Sequence, residues 1–133
     1  MYDVELILED LCHIAWSLDQ IMKRFSSVIS SDDFMKDDAG LEKLDSICMQ
    51  LMAVGETLKH IDKLTDSKLL AGYPDIDWKK AKGMRDIITH HYFDIDSETI
   101  YAVCIDHLPA MRSVIKRIID DVEKGRSIVN GEI

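Results

Sequence analysis

Apolar residues recur along this chain at alternating intervals of three and four, the spacing that places them on one face of an α-helix. The first such run is Val4, Leu8, Leu11, Ile14 with Ala15, Leu18, Ile21 with Met22, Phe25 and Val28. It predicts a long amphipathic helix from Tyr2 to about Ile29, ended by Ser26-Ser27 and Ser30-Ser31. Ser31 to Asp38 reads as a connector with one capped turn, because its carboxylates lack the ligand spacing and glycine of a calcium loop. A second helix is predicted from about Leu41 to Leu64, with Leu44, Ile47, Leu51, Val54, Leu58 and Ile61 as its seam. A short helical turn follows at Ser67-Lys68-Leu69-Leu70. Pro74 biases Tyr73 away from helix, and Asp75 or Asp77 can cap a third long element starting at Trp78. After the exit Tyr92-Phe93-Asp94-Ile95-Asp96, Ser97 is placed to cap a last helix running through Ile100, Val103, Cys104, Leu108, Met111, Val114, Ile115, Ile118 and Val122. Pro109 lacks a backbone donor and should kink that helix near Asp106 or His107, and Gly125 should stop it.

Strand patterning and internal repeats are absent. The pattern therefore predicts an all-α fold, an antiparallel up-and-down bundle of four main helices with the last one kinked at a proline. Residues 1–125 form a single domain on this reading, and 126–133 a flexible C-terminal tail. Six Gly and two Pro among 133 residues agree with few, long elements. The second helix carries more apolar surface than one seam needs. Met49, Met52 and Ala53 lie on another face, with Glu56 and His60. A monomer would leave that stripe wet, so a homodimer interface is expected there ahead of simple extra core.

A formal charge of −9 speaks against bulk electrostatic adhesion to DNA or to an anionic membrane, while leaving room for a small basic focus inside a cleft. No apolar run approaches a membrane span, and the acidic N-terminus has no secretory n-region. Cys12, Cys48 and Cys104 are odd in number and widely spaced, which reads as reduced core or near-core thiols in a cytoplasmic protein. His13, His60 and His107 have no companions at ligand spacing, so neither a metal nor a cofactor is expected.

The third helix holds the candidate chemistry. Met84 to Phe93 gathers an arginine, two histidines and a tyrosine. With Arg85 at zero on a helical wheel, Thr89, Asp86 and His90 fall at about 40°, 100° and 140°. Ile87, Met84, Ile88, Ala81 and Tyr92 form the opposite apolar arc, and His91 falls within it, which assigns it to packing or an interface. Arg85 and His90 are separated by about 7.5 Å of helical rise. Guanidinium can grip a phosphate through its planar fork, and imidazole can take and return a proton near neutral pH. Together they suit internal transesterification of RNA, in which the substrate's own 2′-hydroxyl attacks. From spacing alone the plainer alternative stands ahead: Arg85 ties helices together and His90 caps a helix end.

The wider sequence shifts that balance. Arg85-x-x-x-x-His90-x-Tyr92 resembles the signature of HEPN-domain toxins, and within that superfamily of the HepT-like family, partners of MntA-type minimal nucleotidyltransferases. Val54-Gly55-Glu56-Thr57 is similar to the family's Gly-Glu step, Tyr73-Pro74-Asp75-Ile76-Asp77-Trp78 to its Pro-x-[IL]-x-Trp approach, and Gly83-Met84-Arg85-Asp86 to its Gly-Met-Arg-Asn entry. Tyr92 to Asp96 resembles its Tyr-Phe-Gly-x-Asp exit and Leu108-Pro109 its late Leu-Pro. The resemblance implies a dimeric helical bundle that cleaves RNA, tRNA among the candidates, without metal. Arg85, His90 and Asp86 would line the cleft, and Glu56, Met49 and Met52 would support it or its interface. A nucleotidyltransferase antitoxin would silence it by adenylylating Tyr92. The alternative is a non-catalytic helical partner that presents substrate to a nucleotidyltransferase. Asp86 stands where the family often has Asn, and Asp94 where it usually has an exit glycine, which predicts a left-handed Asp94 held at some cost.

Overall fold

The computed structural model describes residues 2–125, so the tail predicted at 126–133 lies outside the described residues. Every regular element among them is helical. Helix α1 spans Val4–Phe25; Asp3 caps it by accepting from the Leu6 amide, and Lys23 and Arg24 favour its C-terminal end. A 3₁₀ turn at Ser31–Phe34 sends buried Phe34 into the core. Helix α2, Asp38–Thr65, is capped by Asp37, whose carboxylate accepts from the Gly40 amide at 2.8 Å. It ends on two left-handed residues, Asp66 (φ 54°) and Ser67 (φ 61°), whose short polar side chains make that conformation affordable. The one-turn helix α3, Lys68–Ala71, buries Leu69 and Leu70.

Helix α4 spans Trp78–His91, with Asp77 as its cap. A 3₁₀ turn, Tyr92–Asp94, leads to helix α5, Ser97–Ala102. The cap of α5 is Asp96 rather than the expected Ser97, since the Asp96 carboxylate accepts from the Glu98 amide at 3.0 Å. Asp94 does not take a left-handed conformation, because the chain leaves α4 through the 3₁₀ turn and Asp66 and Ser67 alone among the described non-glycine residues have positive φ. The last long helix is interrupted where the proline predicts. Val103–His107 is a π-helical stretch, and α6 resumes at Leu108–Glu123 with Pro109 in its first turn, where a missing amide is tolerated.

Helix α1 packs against both α2 and α6, while α4 lies on α2. The predicted seam of α2 is buried throughout. Polar ties fix the loop that launches α4. The Trp78 indole donates to the Tyr73 carbonyl at 2.9 Å, and the Tyr73 hydroxyl bonds Asp121 of α6 at 2.7 Å. Arg117 of α6 stacks over the Tyr73 ring and pairs with Asp75 at 3.3 Å. Both ends of the Tyr73–Trp78 segment are thus anchored before α4 begins. No helix among the described residues is long and apolar enough to cross a membrane.

Candidate active site

Helices α2 and α4 run antiparallel. Asp62 pairs with Lys82 near one end of their contact, and Glu56 meets Arg85 further along. At their closest approach stands Gly55. A methyl group there would fall 2.9 Å from the Arg85 Cβ and 3.3 Å from the Lys82 carbonyl, so the backbones can meet only because position 55 has no side chain. The stem of Arg85 is thereby pressed onto α2.

Two carboxylates hold the arginine's head. Its Nε lies 3.0 Å from Glu56 Oε1, and its Nη1 donates to Asp86 Oδ1 at 3.1 Å. The Nε atom is sealed from solvent and its N–H is not aligned on Glu56, so that pair is a contact of charges rather than a formed hydrogen bond. Lys59 approaches Asp86 at 3.4 Å and Glu56 at 3.9 Å, closing a ring of alternating charge over the α2–α4 seam. The hydrogen bond from Arg85, followed by the positive charge of Lys59, holds the Asp86 carboxyl below the usual carboxylate range. Asp86 is therefore an anion at any pH near neutrality. It offers the arginine a charge partner, which the amide of an asparagine would not.

His90 is exposed on the same helix, as are Thr89 and Asp86. The structure thus brings Arg85, Asp86, Glu56 and Lys59 into contact and sets His90 free on the outer surface, about 7.5 Å further along the axis. Lys59 belongs to this cluster and carried no sequence signal beyond its place one turn after Glu56. The expected apolar arc of α4 is only half covered. Ile88 is buried and Ala81 and Met84 are partly so, but Ile87 is 50% exposed. His91 is also exposed, so packing within its own chain does not account for it. Tyr92 is part-exposed, 39%, at the helix end. On α2, Met49 is 63% exposed while Met52 is partly buried. His60 is exposed and its ring contacts Asp10 of α1.

A separate groove of about 350 Å³ runs between α4 and α6 over Leu51 and Val54, and none of Arg85, Asp86 and His90 lines it. With Asp86, Thr89 and His90 exposed, the candidate site is an open face.

Residues 14–118 match the family described as ribonuclease HepT-like, a span that takes in α2, the Gly55–Arg85 contact and all of α4. The chain belongs to the HepT-like family. Among its relatives is a protein of Methanocaldococcus jannaschii named "Putative RNase MJ0127", 30% identical over 99 residues, which cover 74% of this chain and 76% of that one. The "Probable ribonuclease HepT" of Thermococcus cleftensis is 24% identical over 99 residues, covering 74% of this chain and 84% of its own length. No solved structure matches this HepT-like chain.

Proposed function

We propose that this chain is a metal-independent endoribonuclease, the cytoplasmic toxin of a toxin–antitoxin pair, acting on RNA with transfer RNA among the candidate substrates. The observation that carries the reading is Arg85, pinned over Gly55 and flanked by Asp86 and Glu56, on the exposed helix that also presents His90. Arg85 grips the scissile phosphate and offsets charge as the phosphorane develops. His90 takes the proton from the 2′-hydroxyl as that oxygen attacks phosphorus, and a proton returns to the departing 5′-oxygen. The products are a 2′,3′-cyclic phosphate and a 5′-hydroxyl. Asp86 keeps the guanidinium oriented. A second copy of the chain, docked through the Met49, Met52 and Glu56 face, would complete the cleft.

Tyr92 is the residue on which a cognate MntA-type nucleotidyltransferase acts. Adenylylation there adds charge and bulk two residues from His90 and repels an anionic substrate. Expression of the chain alone should halt growth, and Arg85→Ala should abolish the arrest. Co-expression with the nucleotidyltransferase should restore growth and add the mass of AMP, with no added mass in Tyr92→Phe. One feature favours a second reading, a non-catalytic partner that presents substrate to the nucleotidyltransferase: two carboxylates already face Arg85 in a chain of net charge −9. A wild-type chain that neither halts growth nor cuts any RNA would support it.

A further inference from the structure

Phe93 is 98% exposed, although a phenylalanine ring is among the groups that gain most from burial. It is not loosely hung. It occupies the middle of the 3₁₀ turn Tyr92–Asp94, closed by the Ile95 amide donating to the Tyr92 carbonyl at 3.3 Å, between α4 and the Asp96 cap of α5. The Tyr92 ring meets it edge-to-face, with centroids 5.8 Å apart and planes at 66°. A flat apolar ring is thereby held in water at the end of the helix that carries Arg85 and His90.

We infer that Phe93 is a stacking platform for an unpaired RNA base, a substrate-positioning residue of the ribonuclease site proposed above, on which this inference rests. Single-stranded RNA is bound by stacking splayed bases on aromatic side chains, while arginines take the phosphates. Phe93 lies eight residues beyond Arg85 and two beyond the end of α4, so the stacked base belongs to a nucleotide flanking the phosphate at Arg85. The local charges fit a base better than a phosphate. Asp94 follows the ring directly and would repel a phosphate, while leaving the neutral face of a base unopposed. Stacking demands a flat ring, whereas an apolar contact with another protein would accept an aliphatic side chain of similar size.

That difference sets the test. A short single-stranded oligouridylate, 2′-O-methylated so that it is not cut and carrying one 2-aminopurine, is titrated with the full chain. Binding should quench the probe. Phe93→Trp and Phe93→Tyr should keep the quench and the affinity, while Phe93→Leu and Phe93→Ala should lose the quench and weaken binding about 5- to 150-fold. In cleavage of unmodified RNA, Phe93→Leu should raise KM far more than it lowers kcat. Phe93→Leu that binds and quenches like wild type would overturn the proposal. So would Phe93→Ala that reduces the mass in solution while Phe93→Leu restores it, since the ring would then serve a protein interface. A wild-type chain that neither binds nor cuts RNA would instead remove the ribonuclease reading itself.

Discussion

Gly55 lies so close beneath Arg85 that an added Cβ would stand 2.9 Å from the arginine's own Cβ. The glycine of α2 and the arginine of α4 therefore form one feature, in which the missing side chain sets the height of the catalytic candidate above the seam. Gly55→Ala should push α4 outward. Overpacking of this kind costs about 1–3 kcal/mol, offset by up to about 1 kcal/mol of helix propensity. Gly83, on the same helix as Arg85, is the control, because a Cβ there meets nothing within 4 Å. Gly83→Ala should stabilise the isolated chain by about 0.5–1 kcal/mol. Urea melts of both variants check the pair, and equal effects would contradict the packing argument.

The thiols should divide by burial. Cys48 is pushed up to about 11 by burial, with the Asp45 charge adding to it, and Cys104 to about 12 by burial and then by neighbouring Cys48. Both remain thiols at neutral pH, and the thiolate is the reactive form. Cys12 is exposed. Ellman's reagent at pH 7–8 should therefore label one cysteine quickly in the folded chain and all three after denaturation. Mass mapping should find the fast site at Cys12.

Grouping all three cysteines as core or near-core thiols does not separate exposed Cys12 from the buried pair, for a reason that applies to the whole chain. Periodicity tells which residues share a helical face, but not how far a neighbouring helix covers it. The same gap explains Ile87 and His91, which share the arc of buried Ile88 yet are exposed because α4 packs mainly on α2. The α2 seam and the Pro109 interruption were readable, since one follows from spacing and the other from a missing amide. At the site, Arg85, Asp86 and His90 stood out as a polar arc. Lys59 did not, because a lysine one turn from a glutamate is ordinary surface until a second helix brings Asp86 against it.

Met49 offers a direct test of assembly. Its side chain is 63% exposed on the face assigned to the partner copy. Met49→Glu would bury a charge in that interface, where an unpaired carboxylate is strongly disfavoured. Light scattering should show a dimer for the wild type and a monomer for the variant at the same micromolar concentration. A wild-type monomer would remove the dimer from the account.

In the proposed mechanism Arg85 and His90 cut RNA with the substrate's own hydroxyl as nucleophile. The most direct measurement is the chemistry of the ends produced from a defined RNA in the presence of EDTA, by wild type and by His90→Ala shown to fold by circular dichroism and thermal melting. Wild type should leave 2′,3′-cyclic phosphate and 5′-hydroxyl ends, and His90→Ala should cleave about 10²–10⁴-fold more slowly. Cleavage that stops with EDTA, that leaves 5′-phosphate ends, or that proceeds at full rate in His90→Ala would contradict it.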